Sequence, residues 1–191
     1  LYNTLDTIIW MAEFKDTEKV VSITKALAQF FRLSLSQGTQ MIPLTQEIDH
    51  VSQYLYIQKE RYGEHLNYAF EVDPSLSNIL VPKIILQPIV ENAIYHGIKP
   101  LPYPGHIQIA VHRVSASDVE ITVSDNGVGF NLNKKNDPSE TTIKLGGVGL
   151  ENVNNRLKLR YGEGYGLTVS SELHKGTKIS ILLSIEIPPR S

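Results

Sequence analysis

Cysteine is absent from this sequence, which excludes disulfides and thiolate metal sites. Positive charge is not in excess either. The 18 Lys and Arg are set against 20 Asp and Glu, a formal net charge of -2, so the basic signature of a nucleic-acid binder is missing. No apolar run approaches the roughly 18 residues that a membrane-spanning helix needs, and no signal peptide is visible. Internal repeats and low-complexity runs are lacking too. What is present is 41% apolar residues, enough for a packed core and too many for wholesale disorder. The 191 residues suit one ordinary domain, or one plus a helical appendage. The chain opens at Leu1 without a Met, so the expectation is a portion of a longer protein, with any membrane segment upstream of it.

The first third has helical periodicity. Leu1, Leu5, Ile8 and Ala12 are spaced as one apolar stripe on a helix over 1–13. Asp16 and Thr17 offer a second start. Val20, Ile23, Leu27, Phe30 or Phe31, and Leu35 carry that helix in near-heptad spacing towards Gly38, a C-terminal stop. Two such helices on a short link make an αα-hairpin. Their stripes need a partner, each other or another subunit, and Trp10 belongs to a core or an interface. Thr45 is expected to N-cap a third helix, with Ile48, Val51, Leu55 and Tyr62 on one face and Gly63 closing it.

Beyond Gly63 the period changes. Leu66 to Val72 alternates as a strand, and Asp73-Pro74-Ser75 makes a turn. Pro82 is expected in the first turn of a helix that carries Asn92. His106–Val114 and Val119–Ser124 form a hairpin, Val148–Tyr161 a helix, and Leu167–Leu173 and Lys178–Ile187 two further strands. Phe130 to Leu145 is polar and aperiodic, the pattern of a lid or of a disordered loop.

Strand Val119–Ser124 runs into Asp125-Asn126-Gly127-Val128-Gly129-Phe130. Glycines at 127 and 129 let backbone press close to a ligand. An acid at the strand end is placed to accept a hydrogen bond from an exocyclic amine such as adenine's. Taken alone, Asp-Asn-Gly is also ordinary turn chemistry. Three other stretches accompany it: Gln87-Pro88-Ile89-Val90-Glu91-Asn92-Ala93-Ile94-Tyr95-His96-Gly97, Gly146-Gly147-Val148-Gly149-Leu150-Glu151-Asn152-Val153, and Gly176-Thr177.

In this order the four stretches resemble the N box and the three glycine boxes of the Bergerat, or GHKL, ATP-binding fold of histidine kinases and gyrase. Upstream, Leu1-Tyr2-Asn3-Thr4-Leu5, Phe31-Arg32-Leu33-Ser34-Leu35, Leu44-Thr45-Gln46-Glu47-Ile48, Tyr54-Leu55 and Glu60-Arg61-Tyr62 look like LytS/YesM-type sensor histidine kinases. The resemblance covers nearly the whole chain. It implies an α+β architecture. A helical dimerisation and phosphotransfer region over 1–63 would precede a Bergerat-type α/β sandwich over 64–191, a mixed sheet with helices on one face. It implies ATP and Mg2+ as ligands, a response regulator as partner, a homodimer, no nucleic acid, and a cytoplasmic portion of a membrane-anchored protein. In the family an Asn-Pro-His-Phe segment carries the phosphoacceptor, which would stand two positions ahead of Leu1. None of His50, His65, His96, His106, His112 and His174 matches it, so this fragment is expected to bind Mg-ATP without phosphorylating itself. His50 is expected as a solvated residue on a helix flank.

The implied site residues follow residue by residue. Asn92 offers an amide oxygen to Mg2+, which takes hard oxygens and keeps waters and phosphates around it. Glu91 lies about 100° further round the helix, to orient a water or the phosphoacceptor or to form a surface ion pair. His96, one turn after Asn92, touches ribose or phosphate or serves as a structural histidine. Asp125 and Thr177 hold adenine, beside Gly127 and Gly129. Gly147, Gly149 and Leu150 open a helix whose free N–H groups attract phosphate. Lys99 and Arg156 are weaker phosphate candidates and otherwise solvated charges. Three other readings compete. An anti-sigma-factor-type serine kinase has a similar N box but lacks the long helical region. An ATP-hydrolysing clamp needs a Glu where Pro88 stands. A non-catalytic dimerisation module would not need four intact boxes.

Overall fold

Helix α1 (Tyr2–Glu13) and helix α2 (Thr17–Ser34) form the expected hairpin, and α3 (Leu44–Tyr62) packs against both. The computed structural model describes residues 2–35, 40–131 and 147–185. Gly38 and all of the expected lid beyond Asn131 lie outside those residues. Asp16 starts α2 as anticipated, its side chain accepting the Lys19 N–H at 3.2 Å. Met11, Ile23, Ala26 and Ile57 form a small core where the three helices meet. Trp10 is in no core of this chain. It is 58% exposed and leans on Phe14, ring centroids 4.7 Å apart.

Two expected helix starts are corrected. Thr45 is not the N-cap of α3, which begins at Leu44 behind Pro43. The Leu44 and Thr45 N–H groups donate instead to the carbonyls of Ile79 (2.8 Å) and Ser77 (3.1 Å), so a neighbouring loop supplies what a cap would. Pro82 is not in a helix. It ends the short strand β3 (Leu80–Pro82), which pairs antiparallel with β1 (Met41–Pro43). The helix α4 (Gln87–Asn92) follows with Pro88 in its first turn, where a missing N–H costs nothing. It continues as a π-helical turn over Ala93–Ile98.

The main sheet contains β2 (Leu66–Val72), β4 (Gly105–Arg113), β5 (Asp118–Asp125), β6 (Gly166–Glu172) and β7 (Gly176–Ser184), in the order β2-β4-β5-β7-β6. β2 and β4 are parallel and the other pairs antiparallel. Alternation along β5 sends Val119, Ile121 and Val123 into the core. In register, Ile121 pairs with Val111 and Ile181, and Val123 with Ile109 and Ile179. The helices α3, α4 and α5 (Val148–Tyr161) cover this face, α5 through Leu150, Val153 and Leu157. The opposite face is polar, with Glu71 and Gln108 bonded across β2 and β4 at 3.0 Å. The architecture is the expected α+β arrangement of a mixed sheet with helices on one face. Among the described residues, no helix is long and apolar enough to cross a membrane.

Candidate functional site

The inward row of β5 does not stop at Val123. The next residue of that row is Asp125, a carboxylate on the apolar face, paired with Ile107 and Thr177. Here the sheet and the α4 segment part to leave a cavity of about 450 Å³. Ile89, Ala93, Val123, Leu150, Val169 and Ile179 supply apolar walls, and Asn92, His96, Asp125 and Thr177 supply polar groups. Gly97, Gly129, Phe130 and Gly147 complete the lining.

Asp125 is fixed by its neighbours. Its Oδ1 accepts the Gly127 N–H at 2.8 Å. Burial pushes its carboxyl up from the ordinary 3.8 to about 6, against the pull of the Gly127 and Thr177 N–H groups. The turn after it docks on the end of the α4 segment. Gly127 lies against the Gly97 backbone with no room for a Cβ, and the Val128 N–H donates to the Gly97 carbonyl at 3.0 Å. A Cβ on Gly97 itself would come within 2.7 Å of the Asp125 Oδ1. The Asn126 Oδ1 accepts the His106 N–H at 2.6 Å, tying the turn to β4. The Thr177 and Ser171 hydroxyls are 2.9 Å apart, and the Ser171 Oγ accepts the Phe130 N–H at 2.9 Å.

The structure sorts the other candidates. Asn92, His96, Gly129, Gly147 and Leu150 are on the cavity wall with Asp125 and Thr177. Gly127 supports that wall from behind, and the Cβ position of Gly149 faces Pro88 at 3.5 Å. Gly147, with φ +88°, precedes α5, where no side chain caps the first turn among the described residues. Glu91 is not on the wall. It faces α3, its Oε1 accepting from the Gln87 Nε2 at 2.7 Å. Lys99 rests its ammonium 6.0 Å from the Tyr95 ring centre. Arg156 donates to the Lys83 carbonyl at 2.8 Å and is not part of the lining.

One expectation is overturned and one residue was missed. His50 is no solvated flank residue. It is 3% exposed, stacked parallel on Phe30 at 4.6 Å, with its Nε2 2.9 Å from the Gln87 Oε1. Glu47, one turn before it, is fully buried and accepts the N–H groups of Ile84, Ile85 and Leu86 at 2.7, 2.7 and 2.9 Å. Burial pushes its carboxyl up while those amides pull it down. The signal was available. Leu44, Glu47, Val51, Tyr54 and Gln58 have three-four-three-four spacing, so Glu47 stands within an apolar stripe.

Comparison with known proteins matches this geometry. The histidine kinase family model matches residues 1–66, and the model for histidine kinase-, DNA gyrase B-, and HSP90-like ATPases matches 81–187. The sensor histidine kinase YesM of Bacillus subtilis is 34% identical over 185 residues, covering 96% of this chain and 31% of its own length. The sensor protein LytS of the same species is 32% identical over 193 residues, covering 97% of this chain and 32% of its own length. The chain thus spans about a third of these relatives. The histidine kinase domain of a blue-light activated histidine kinase from Erythrobacter litoralis shares the fold, with a TM-score of 0.56 at 18% identity over 87% of this chain and 74% of that one. With its model matching more than half of the residues, the chain belongs to the histidine kinase-, DNA gyrase B-, and HSP90-like ATPase family, and the helices before that stretch match the histidine kinase model.

Proposed function

We propose that this chain is the core of a two-component sensor histidine kinase, passing the γ-phosphoryl group of ATP to a histidine and then to an aspartate of a response regulator. Residues 1–63 would serve dimerisation and phosphotransfer, and 64–191 nucleotide binding. The chain would work on the cytoplasmic side of a membrane-anchored homodimer. The observation that carries the reading is Asp125, a half-buried carboxylate lining a largely apolar cavity and held by backbone N–H groups.

The cavity volume falls within the range of small-molecule sites, about 300–1,000 Å³. Its apolar walls suit a purine, and Asp125 supplies the acceptor for the exocyclic amine, with the Thr177 hydroxyl beside it. Asn92 would hold Mg2+ through its amide oxygen. Among the described residues, no group of three or more His, Asp or Glu is gathered to hold a metal. That donor set suits Mg2+ shared with phosphates and waters rather than a caged metal. His96, at the same wall, is placed for ribose or phosphate. The N–H groups at the start of α5, with Gly147 and Gly149 before and within the turn, would receive phosphate oxygens. ATP supplies the transferable phosphoryl group, and Mg2+ neutralises its charge. What the protein adds is positioning and electrostatics. The serine kinase alternative is disfavoured by the helices at 1–66, which match the histidine kinase model.

Calorimetric titration of the chain with ATP, with and without Mg2+, tests the reading. Saturable binding that strengthens with Mg2+ is expected, and no binding in either condition would overturn it.

A further inference from the structure

The inward row of β6 runs through Leu167 and Val169 to Ser171, which is in register with Thr177 of β7. Val169 and Thr177 line the cavity, and Ser171 stands beside Thr177 without lining it. Three polar groups meet at the Ser171 Oγ. The Phe130 N–H donates to it at 2.9 Å, the Gly176 carbonyl is 3.1 Å away, and the Thr177 Oγ1 is 2.9 Å away. The backbone around them is pinned. Gly176 is wedged against the Asp125 backbone with no room for a Cβ, and Thr177 is paired with Asp125 across the sheet.

The direction of each bond follows from counting hydrogens. A hydroxyl has one hydrogen and two lone pairs, and a carbonyl only accepts. The Ser171 hydrogen therefore goes to Gly176. One Ser171 lone pair takes the Phe130 N–H, and the other is left for the Thr177 hydroxyl. This arrangement makes all three contacts full hydrogen bonds. Reversing the bond between Ser171 and Thr177 would leave the Gly176 contact unmade. The Thr177 hydrogen is thus committed to Ser171, and its oxygen keeps lone pairs for the cavity. Next to it, the Asp125 carboxylate takes the Gly127 and Thr177 N–H groups and still has lone pairs to offer. The corner formed by these two side chains presents acceptors and no donor.

We propose that Ser171 is a positioning residue for base selection. By taking the Thr177 hydrogen it creates an all-acceptor corner, which admits a ring bearing an amino group and rejects the same ring bearing an oxo group. An amino group brings hydrogens to that corner. An oxo oxygen would face lone pairs and a carboxylate with no hydrogen between them. Without the Ser171 hydroxyl, the Thr177 hydroxyl is free to turn and donate to an oxo oxygen. The proposal rests on the ATP-binding reading above and adds the residue that sets its base selectivity. Ser171 acts through Thr177.

The test is calorimetric titration of the chain with ATP and with inosine triphosphate, which carries a ring oxo group in place of the amino group. Both are measured with Mg2+, well above pH about 6, where Asp125 is ionised. Wild type should prefer ATP by about tenfold or more. Ser171→Ala should cut that preference by about fivefold or more. Ser171→Thr keeps the hydroxyl and should keep the preference. In a Thr177→Val background, Ser171→Ala should change the preference by less than about twofold, because no hydroxyl is left to position. A preference that stays within about twofold of wild type in Ser171→Ala would overturn the proposal. Equal weakening of both nucleotides has that same outcome, and it is the mark of a packing role through Phe130. If Ser171→Ala does not fold, Ser171→Cys decides by the same ratio, since a thiol is a weak donor and a weak acceptor. A wild type that binds neither nucleotide removes the ATP-binding reading and this proposal with it. A wild type that binds both equally removes this proposal only.

Discussion

At the scale of single residues the site depends on Asp125. Its burial beside Val123 and Ile107 holds its carboxyl near 6 rather than the ordinary 3.8. The folded value lies above the unfolded one, so the folded state gains protons between them. The nucleotide-free chain therefore gains stability from this group below about 3.8 and loses it as pH rises through about 6. Binding should run the opposite way, because the ionised carboxylate is the stronger acceptor for adenine's amine. Affinity for ATP is expected to fall as pH drops through about 6, and calorimetry on either side of that value measures it. Asp125→Asn should cost about 1.5–3 kcal/mol, tenfold or more in affinity, and should flatten the pH profile. Equal affinities for the two proteins would take Asp125 out of the site. Asn92→Ala acts on the metal and should weaken Mg-ATP far more than nucleotide in EDTA. Equal weakening of both would contradict a metal role.

At the scale of elements the junction between α3 and α4 is held by one buried acid. Ile84 sits at φ +58°, a left-handed conformation that a β-branched residue rarely adopts. It is sustained there because three successive N–H groups converge on Glu47. Glu47→Ala would leave those buried donors without an acceptor, at about 1–3 kcal/mol for each one that water does not reach. A destabilisation of about 3 kcal/mol or more is expected from urea unfolding. A shift inside about 0.5 kcal/mol would mean that the loop re-pairs without the acid. The same junction explains the two misplaced helix starts. The spacing around Thr45 and Pro82 is compatible with helix, but the antiparallel pairing of β1 with β3 needs an extended chain at 41–43 and 80–82.

At the scale of the whole molecule the exposed side of α1 is conspicuous. Leu5, Ile9 and Trp10 on α1, and Phe14 just past its end, are all more than two-fifths exposed. Apolar side chains grouped in this way are what an association surface would use. Light scattering is expected to find a dimer, and Trp10→Glu to shift it towards monomer by placing a charge in that surface. A dimer unchanged by the substitution would locate the contact elsewhere.

The sequence by itself determined whatever is local in the chain. The helical stripes, the alternation of β2 and of β4 to β7, and the glycines flanking Asp125 were legible because period and turn chemistry depend on neighbours a few residues apart. Asp125 was named that way, and Asn92, His96 and Thr177 through the resemblance of their stretches to the GHKL boxes; all four line the cavity. Tertiary structure alone decided the rest. Glu47 reaches its amides across 37 to 39 positions, and His50 reaches Gln87 across 37. A hydrogen bond over such a separation leaves no period to read. The burial of His50, the turning of Glu91 away from the cavity, and the raised pKa of Asp125 all depend on which surfaces meet when α2 packs on α3 and α3, α4 and α5 close over the sheet.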